Sequence, residues 1–367
     1  MIQTSCIDDV GSSSSIIGAS ISVISMMSNS RRIIEDQLQQ MTNTSETSGQ
    51  AGVLIEADAK KDAQETAEDA GALKRFKIIN LIGTGNYSRV YRAVSQSGKE
   101  LAIKTINLSK TTENYQHKFL PRELTILKKI SHVNICKTQE IIQIGERVYI
   151  IMQYCPRGTI ADLLHKLGPL SEPVARGLFG PTIDAVSYLH SLDYAHRDLK
   201  VENILLDHDF NPKLTDFSYS VYTGDKQTRA RTTVQSPTNN HQTKKSMFKT
   251  GFSPRLNETF CGTLPYLSPE MIRQQPYDSK KTDMWSLGVC LYVMLNDKLP
   301  FPFNDVRQML KKQMTRDYKF KQDSNFSSQC KDLIALLLEP DLNRRLTCFD
   351  AIKHPWLFGT REKPPVR

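Results

Sequence analysis

The feature that most narrows what this chain can be is an ordered run, His196-Arg197-Asp198-Leu199-Lys200-Val201-Glu202-Asn203, followed by Asp216-Phe217. Asp198 can accept a proton from a hydroxyl. Lys200 can neutralise charge on a migrating phosphate, and Asn203 and Asp216 offer hard oxygen atoms suited to Mg²⁺. The apolar residues 204–206 predict a short buried strand and residues 213–215 its partner. His208-Asp209-Phe210-Asn211-Pro212 supplies the turn between them. Such a hairpin carries Asn203 at one end and Asp216 at the other, so the two oxygen ligands converge on one metal. Each residue type is common alone, whereas the ordered set is hard to meet by chance. The stretch points to phosphoryl transfer.

Size and composition set the frame around it. A chain of 367 residues can form one two-lobed domain or two ordinary ones, and a hydrophobic fraction of 39% supports a sizeable core. No apolar run reaches membrane-spanning length, since the run after Trp285 is broken by Ser286 and Gly288. The N-terminus opens with Asp8 and Asp9 before Ser-rich sequence, whereas a secretion signal wants a basic start and a compact apolar core. The seven cysteines show no C-x-x-C pair, which fits reduced thiols in the cytoplasm or the nucleus. The net charge of +9 raises the question of anionic partners. No Arg/Lys run with interleaved aromatics accompanies it, so neither nucleic acid nor a membrane is expected as a partner.

Residues 1–74 read as a poorly ordered arm. The stretch 12–30 is Ser-rich, and two pieces, 31–40 and 56–70, have the composition of short helices without a strong apolar stripe. The arm is either a regulatory, partner-binding segment or a solvated tail. Order begins with a strand at 76–82, then Gly83-Thr84-Gly85-Asn86-Tyr87-Ser88-Arg89-Val90 and a second strand. Glycines at a hairpin tip let backbone N–H groups approach phosphate oxygens. Ser88 stands where a third glycine would complete G-x-G-x-x-G, and the loop runs into a strand, which argues against a dinucleotide fold. Ala102-Ile103-Lys104 in the next strand sets an ammonium beneath the phosphates. Residues 119–130 predict an amphipathic helix with Leu120, Leu124, Leu127 and Ile130 near one face, and Glu123 beside it as the candidate partner of Lys104.

A further strand pair, 141–144 and 148–153, turns at Gly145-Glu146, with Met152 at the back of the pocket. Tyr154-Cys155-Pro156-Arg157-Gly158 then connects the two halves where a nucleotide base can meet backbone groups. Residues 159–195 read as helices, with Ser171 as N-cap, Glu172 in the first turn and a kink at Pro181. Residues 223–258, rich in Thr, Ser, Asn and basic groups, read as an inserted flexible loop. A helix opening at Asp283 is apolar nearly all round and should be buried.

From about residue 76 to residue 356 the chain resembles a eukaryotic protein kinase. Within that superfamily it is similar to the testis-specific serine/threonine kinases of the calcium/calmodulin-kinase-like group. Lys118-Phe119-Leu120-Pro121-Arg122-Glu123-Leu124, Thr259-Phe260-Cys261-Gly262 and Asn343-Arg344-Arg345-Leu346 carry that likeness. The resemblance implies an α+β, bilobal kinase fold over residues 75–357. Its parts would be a small mainly-β N-lobe with one regulatory helix (75–153), a hinge (154–158), a larger mainly-α C-lobe (159–357) and a tail (358–367). It implies ATP and Mg²⁺ as cofactors, and protein substrates phosphorylated on Ser or Thr. By the same likeness Asp198 is the catalytic base, Lys200 stabilises the γ-phosphoryl group, and Lys104 contacts the phosphates and pairs with Glu123. Asn203 and Asp216 hold Mg²⁺. The nucleotide is held by Ile82, Gly83, Gly85, Val90, Ala102, Lys104, Met152, Tyr154, Cys155 and Leu205. Leu127, Phe217 and His196 stack as a column between the lobes, Asp283 anchors the catalytic loop, and Glu270 pairs with Arg345. Thr259 is the implied activating phosphosite, set by an upstream kinase and paired with Arg197.

Four positions depart from the pattern. Ser218 follows Asp216-Phe217 where glycine is usual, Ser268 replaces alanine, and Ser88 lies in the phosphate loop. Thr159 stands where basophilic relatives carry a glutamate, leaving Glu202 to read an upstream arginine in the substrate. Two functions follow as expectations: an active serine/threonine kinase, with a role in sperm development by family likeness, and a pseudokinase scaffold that binds nucleotide or partners without turnover.

Overall fold

The computed structural model describes residues 13–42, 73–224, 262–275, 277–320 and 325–358, with side chains from residue 27 onward in the first stretch. Strands β1 (Phe76–Thr84), β2 (Ser88–Ser95), β3 (Glu100–Asn107), β4 (Thr138–Ile144) and β5 (Arg147–Gln153) form one antiparallel sheet in the order β1-β2-β3-β5-β4. Successive side chains on a strand point to opposite faces, and this sheet buries both. Leu101, Ile103, Tyr149 and Ile151 join Ala93 and Leu73 on the outer face. The alternate set, Ile106, Val148 and Ile150, meets the helix that follows β3.

That helix is α2 (Leu120–Leu127), entered through a π turn at Tyr115–Phe119. Leu120, Leu124 and Leu127 pack on the sheet as their spacing predicts. Ile126 and Ile130 turn the other way, into the core of the second lobe, and Leu127 touches both cores. One leucine therefore ties the two lobes.

The second lobe is helical, which completes the expected α+β bilobal fold. It contains α3 (Ile160–Leu167), α4 (Glu172–Ser191), α5 (Pro269–Ile272), α6 (Ser279–Asn296), α7 (Val306–Thr315), α8 (Ser328–Leu337), α9 (Cys348–Ala351) and α10 (Pro355–Phe358). Helix α4 runs through Pro181 without interruption, and Pro181 is buried inside it. Ser171 holds the N-cap position but makes no side-chain capping bond. Glu172 instead accepts from the Ser327 N–H (2.9 Å), the Ser327 hydroxyl (2.7 Å) and Trp356 Nε1 (2.7 Å), which fixes α4 to α8 and α10. Helix α6 starts one turn before Asp283, capped by Asp278, and is buried along nearly its whole length. Gly288 lets it approach α8 closely: a Cβ there would lie 2.8 Å from Leu337 Cβ.

Helix α1 (Ser13–Thr42) occupies part of the stretch whose composition predicts poor order. Ile34 is fully buried in the C-lobe core, with Ile33 and Leu38 packed beside it. The Ser30 hydroxyl donates to the Pro173 carbonyl (3.0 Å), and Arg31 bridges Glu35 and Asp209. Three apolar residues are too few to read as an amphipathic stripe, so the helix is specified by docking against α4 rather than by periodicity. The piece 56–70 and nearly all of the insertion 223–258 lie outside the described residues. Ile34→Ala should cost about 2–5 kcal/mol, the usual range for emptying a buried isoleucine site. Urea unfolding of the full chain measures this, and a loss within about 0.5 kcal/mol, as at an exposed site, would show that α1 is undocked in solution.

Candidate active site

The site is assembled from three short pieces, each held by backbone geometry. The first is the loop between β6 (Tyr194–Ala195) and β7 (Ile204–Leu206). Asp283, 1% exposed, accepts the His196 N–H through Oδ2 (2.8 Å) and the Arg197 N–H through Oδ1 (2.8 Å). Arg197 sits at φ 67°, a conformation that costs a non-glycine residue energy and persists only where surroundings impose it. His196 Nε2 donates to the Thr215 carbonyl (3.0 Å), and its Nδ1 accepts the Asp198 N–H (3.3 Å). These partners fix the Nε2-protonated tautomer.

Asp198 thus enters the cleft with its carboxylate already engaged. Oδ2 accepts from Lys200 Nζ (2.8 Å) and Asn203 Nδ2 (3.1 Å), and Oδ1 accepts from the Thr263 hydroxyl (2.9 Å). Lys200 Nζ also donates to the Thr263 oxygen (2.8 Å). Thr263 lies beyond the insertion, so the segment after it returns to the catalytic loop. Gly262 makes that return possible: its φ is 108°, and a Cβ there would meet the Arg197 carbonyl at 3.0 Å.

The second piece is the β7–β8 hairpin (β8, Pro212–Leu214), which pairs Ile204 with Leu214 and Leu206 with Pro212. The Thr215 N–H donates to the Asn203 carbonyl (3.0 Å), so the two ends meet as the sequence predicts. Asn203 spends its amide nitrogen on Asp198, leaving its amide oxygen as an acceptor. Asp216, at φ 62°, accepts the Ser218 hydroxyl (2.8 Å) and the Ser218 N–H (3.4 Å) on Oδ1, with Lys104 Nζ at 3.6 Å. Its other carboxylate oxygen remains. Both remaining atoms are hard oxygen donors, the type Mg²⁺ takes, and a magnesium site completed by substrate phosphates needs only one or two protein carboxylates. Among the described residues no cluster of three metal-ligating side chains occurs.

The third piece is the sheet. Lys104 Nζ donates to Glu123 Oε1 at 2.7 Å. Burial alone would push the lysine down, but Glu123, Asp216 and Tyr115 outweigh it and hold the ammonium well above its ordinary value. Burial pushes the Glu123 carboxyl up against the pull of Lys104. Burial acts the same way on Asp216, yet Lys104, Ser218 and His196 outweigh it and depress that carboxyl. Ile82, Gly83, Gly85, Val90, Ala102, Lys104, Met152, Tyr154, Cys155 and Leu205 all line one cavity of about 360 Å³, together with Asn203 and Asp216. Asp198 and Lys200 stand beside it, hydrogen-bonded to Asn203. His196 and Phe217 pack edge to face at 5.1 Å, and Phe217 lines the cavity together with Leu127. Glu270 and Arg345 form a buried two-point pair (2.6 and 3.0 Å).

Sequence reasoning missed several parts. Cys136 and Thr138 also line the cavity. Tyr87 at the glycine-loop tip packs on Tyr115 with ring centres 4.9 Å apart, joining that loop to the turn before α2. Thr159, which also lines the cavity, caps α3 in a reciprocal box with Asp162, a T-x-x-D spacing that was legible. Thr259 lies outside the described residues.

The sequence pattern of the protein kinase domain matches residues 76–357. The chain belongs to the protein kinase family. Testis-specific serine/threonine-protein kinase 2 of Mus musculus is 37% identical over 300 residues, covering 81% of this kinase and 77% of that protein. Testis-specific serine/threonine-protein kinase 1 of Homo sapiens is 37% identical over 295 residues, 79% and 74% of the two chains. Testis-specific serine/threonine-protein kinase 3 of Mus musculus is 36% identical over 287 residues, 78% and 97%. This kinase is accordingly a serine/threonine protein kinase. Its Ser218 bond is a local variation with a measurable role. Ser218→Ala removes one hydrogen bond that orients Asp216, worth about 1 kcal/mol. Half-maximal Mg²⁺ for phosphoryl transfer should rise about five-fold, the equivalent of that energy. An unchanged magnesium requirement would make the bond incidental.

Proposed function

We propose that the cleft transfers the γ-phosphoryl group of Mg-ATP to Ser or Thr hydroxyls of protein substrates, with Asp198 as the base that orients the hydroxyl. The observation that carries this reading is the Asp198 carboxylate itself, held by Lys200, Asn203 and Thr263 at one side of a cavity lined by every expected nucleotide-binding residue. Phosphoryl transfer asks little covalent work of the protein; alignment and charge neutralisation dominate. Lys104, fixed by Glu123, meets the non-transferred phosphates. Lys200 sits 2.8 Å from the base and meets the developing charge on the transferred group. Asn203 and Asp216 would hold magnesium, which supplies positive charge between the phosphates. Val90, Ala102 and Leu205 enclose the adenine ring. The scaffold reading has no observation of its own, because each group that turnover requires is present.

Glu202 is exposed at the cavity edge and suits an arginine upstream of the target residue. Arg122 faces Arg197: burial and the charge of Arg197 both lower its guanidinium pKa. Two cations held together in this way suit a phosphate on Thr259 delivered by an upstream kinase. A role in sperm development is in keeping with the testis-specific names of the relatives.

Labelled γ-phosphate from Mg-ATP should pass to a Ser peptide with upstream arginines, and Asp198→Asn should lower kcat about 10²–10⁴-fold while nucleotide still raises Tm. Equal rates for the mutant would remove Asp198 from the mechanism. Replacing the upstream arginines by alanine should lower kcat/KM about ten-fold, the scale of one exposed charge pair plus its hydrogen bond; equal turnover would end the arginine preference.

A further inference from the structure

The face of α2 that looks into the cleft does not end where the helix begins. Glu123 and Leu127 lie four residues apart, and counting back by the same step gives Phe119 and Tyr115, the two ends of the π turn that leads into α2. Side chains spaced by four stand one above another on a helical surface. Each member of this row meets a different part of the site. Leu127 lines the cavity together with Phe217. Glu123 holds Lys104 at 2.7 Å. Phe119 packs edge to face on Tyr219, with ring centres 5.9 Å apart. Tyr115 packs on Tyr87 at the tip of the β1–β2 turn, with ring centres 4.9 Å apart and planes tilted by 41°.

The row has a fixed base. Tyr115 is 9% exposed and packs with Ile106, Val148 and Ile150 against the sheet. Its N–H donates to the Thr112 hydroxyl oxygen (3.3 Å), and Gln116 Nε2 donates to the Leu108 carbonyl (2.8 Å), which ties the π turn to the end of β3. π turns are rare and concentrate at functional sites. Tyr87 is the opposite case. Its ring is 36% exposed, on a turn that already closes through its own backbone, the Gly85 N–H donating to the Ser88 carbonyl (2.7 Å). The ring contact is therefore not what forms the turn. It sets where the turn stands relative to the cavity that Gly83 and Gly85 line. At the other end, Tyr219 lies three residues after Asp216, and its carbonyl accepts from Arg197 Nε (2.7 Å), next to Asp198.

We infer that Tyr115 and Phe119 are positioning residues for phosphoryl transfer: Tyr115 holds the glycine-bearing turn over the nucleotide, and Phe119 holds the segment that carries Asp216. Neither ring belongs to the reacting groups. They act through Tyr87 and Tyr219, so that the turn, the Lys104–Glu123 pair and Asp216 keep a spacing set by one helical face. This inference rests on the nucleotide reading of the cleft proposed above. Aromatic pairs in tilted or edge-to-face geometry contribute beyond their buried area, by an amount equivalent to about two- to ten-fold in a binding constant.

The test is a pair of double-substitution cycles on the full chain. Tyr87→Leu and Tyr115→Leu should each weaken calorimetric binding of Mg-ADP by about three- to ten-fold. The double variant should bind no more weakly than the worse single one, because either change breaks the same contact. KM for Mg-ATP should rise in step while KM for a Ser peptide stays as in the parent. Tyr115→Phe keeps the ring and should bind Mg-ADP within about two-fold of the parent. Tyr87 is exposed, so its variant keeps the fold and reads the contact even where Tyr115→Leu does not fold. In the second cycle, Phe119→Leu and Tyr219→Leu should each raise half-maximal Mg²⁺ for transfer by about three-fold or more, again without compounding. Single variants that bind Mg-ADP as the parent does, losses that multiply in the double variant, or a peptide KM that rises as much as that for Mg-ATP overturn the role of Tyr115. An unmoved magnesium requirement, or one that compounds, overturns that of Phe119. A parent chain that binds no Mg-ADP overturns the nucleotide reading and both roles with it, an outcome distinct from normal parent binding with unaffected variants.

Discussion

The Asp283 carboxylate is the constraint on which the catalytic geometry depends. It accepts two consecutive backbone N–H groups, those of His196 and Arg197, and so holds Arg197 in a backbone conformation the residue would not choose. That conformation turns the chain sharply enough to send Asp198 into the cleft. A carboxylate buried to 1% exposure is expensive unless its lone pairs are used, and this one also accepts from His190 at 2.9 Å. Its own helix, α6, is buried almost throughout. The loop is therefore referenced to a helix buried in the C-lobe core.

Rigidity then passes outward by short steps. Asp198 is tied to Asn203, Asn203 to Thr215, and Thr215 to His196, closing a ring of hydrogen bonds around the cleft end of the β7–β8 hairpin. Asp216 leaves that ring to meet Lys104, which Glu123 holds from α2. Leu127 of the same helix packs on both lobes. Electrostatic and apolar contacts across the cleft thus share one helix, so a shift of α2 alters the cleft and the lobe packing together.

Much of this was legible in the residues because the chemistry is local. Asp198, Lys200 and Asn203 sit within six positions of one another, and the hairpin that brings Asp216 back is only a few residues longer. The apolar stripe of α2 and the all-round apolar helix α6 followed from periodicity. What escaped was long-range. Nothing near Ile34 signals that a fully buried site awaits it on α4. Ser171 had the right identity for a cap, but Glu172 found better partners in Ser327 and Trp356, more than a hundred and fifty residues away. Thr159 registered only as the position where basophilic relatives carry a glutamate, while its own T-x-x-D spacing already assigned it to capping α3. The Tyr87–Tyr115 contact joins two turns that no sequence period connects.

The two-sided sheet has a consequence for how this chain can change over generations. Strand β3 carries two messages in alternate letters: Ala102 and Lys104 are read by the cleft, Leu101 and Ile103 by the outer core. Losing a single letter exchanges the two messages, burying the ammonium in an apolar layer and offering isoleucine to the cleft. Losing two preserves the parity and shortens the strand instead. Length variation in this lobe is therefore filtered by whether it is odd or even, a rule that a helix, with its 3.6-residue turn, does not impose.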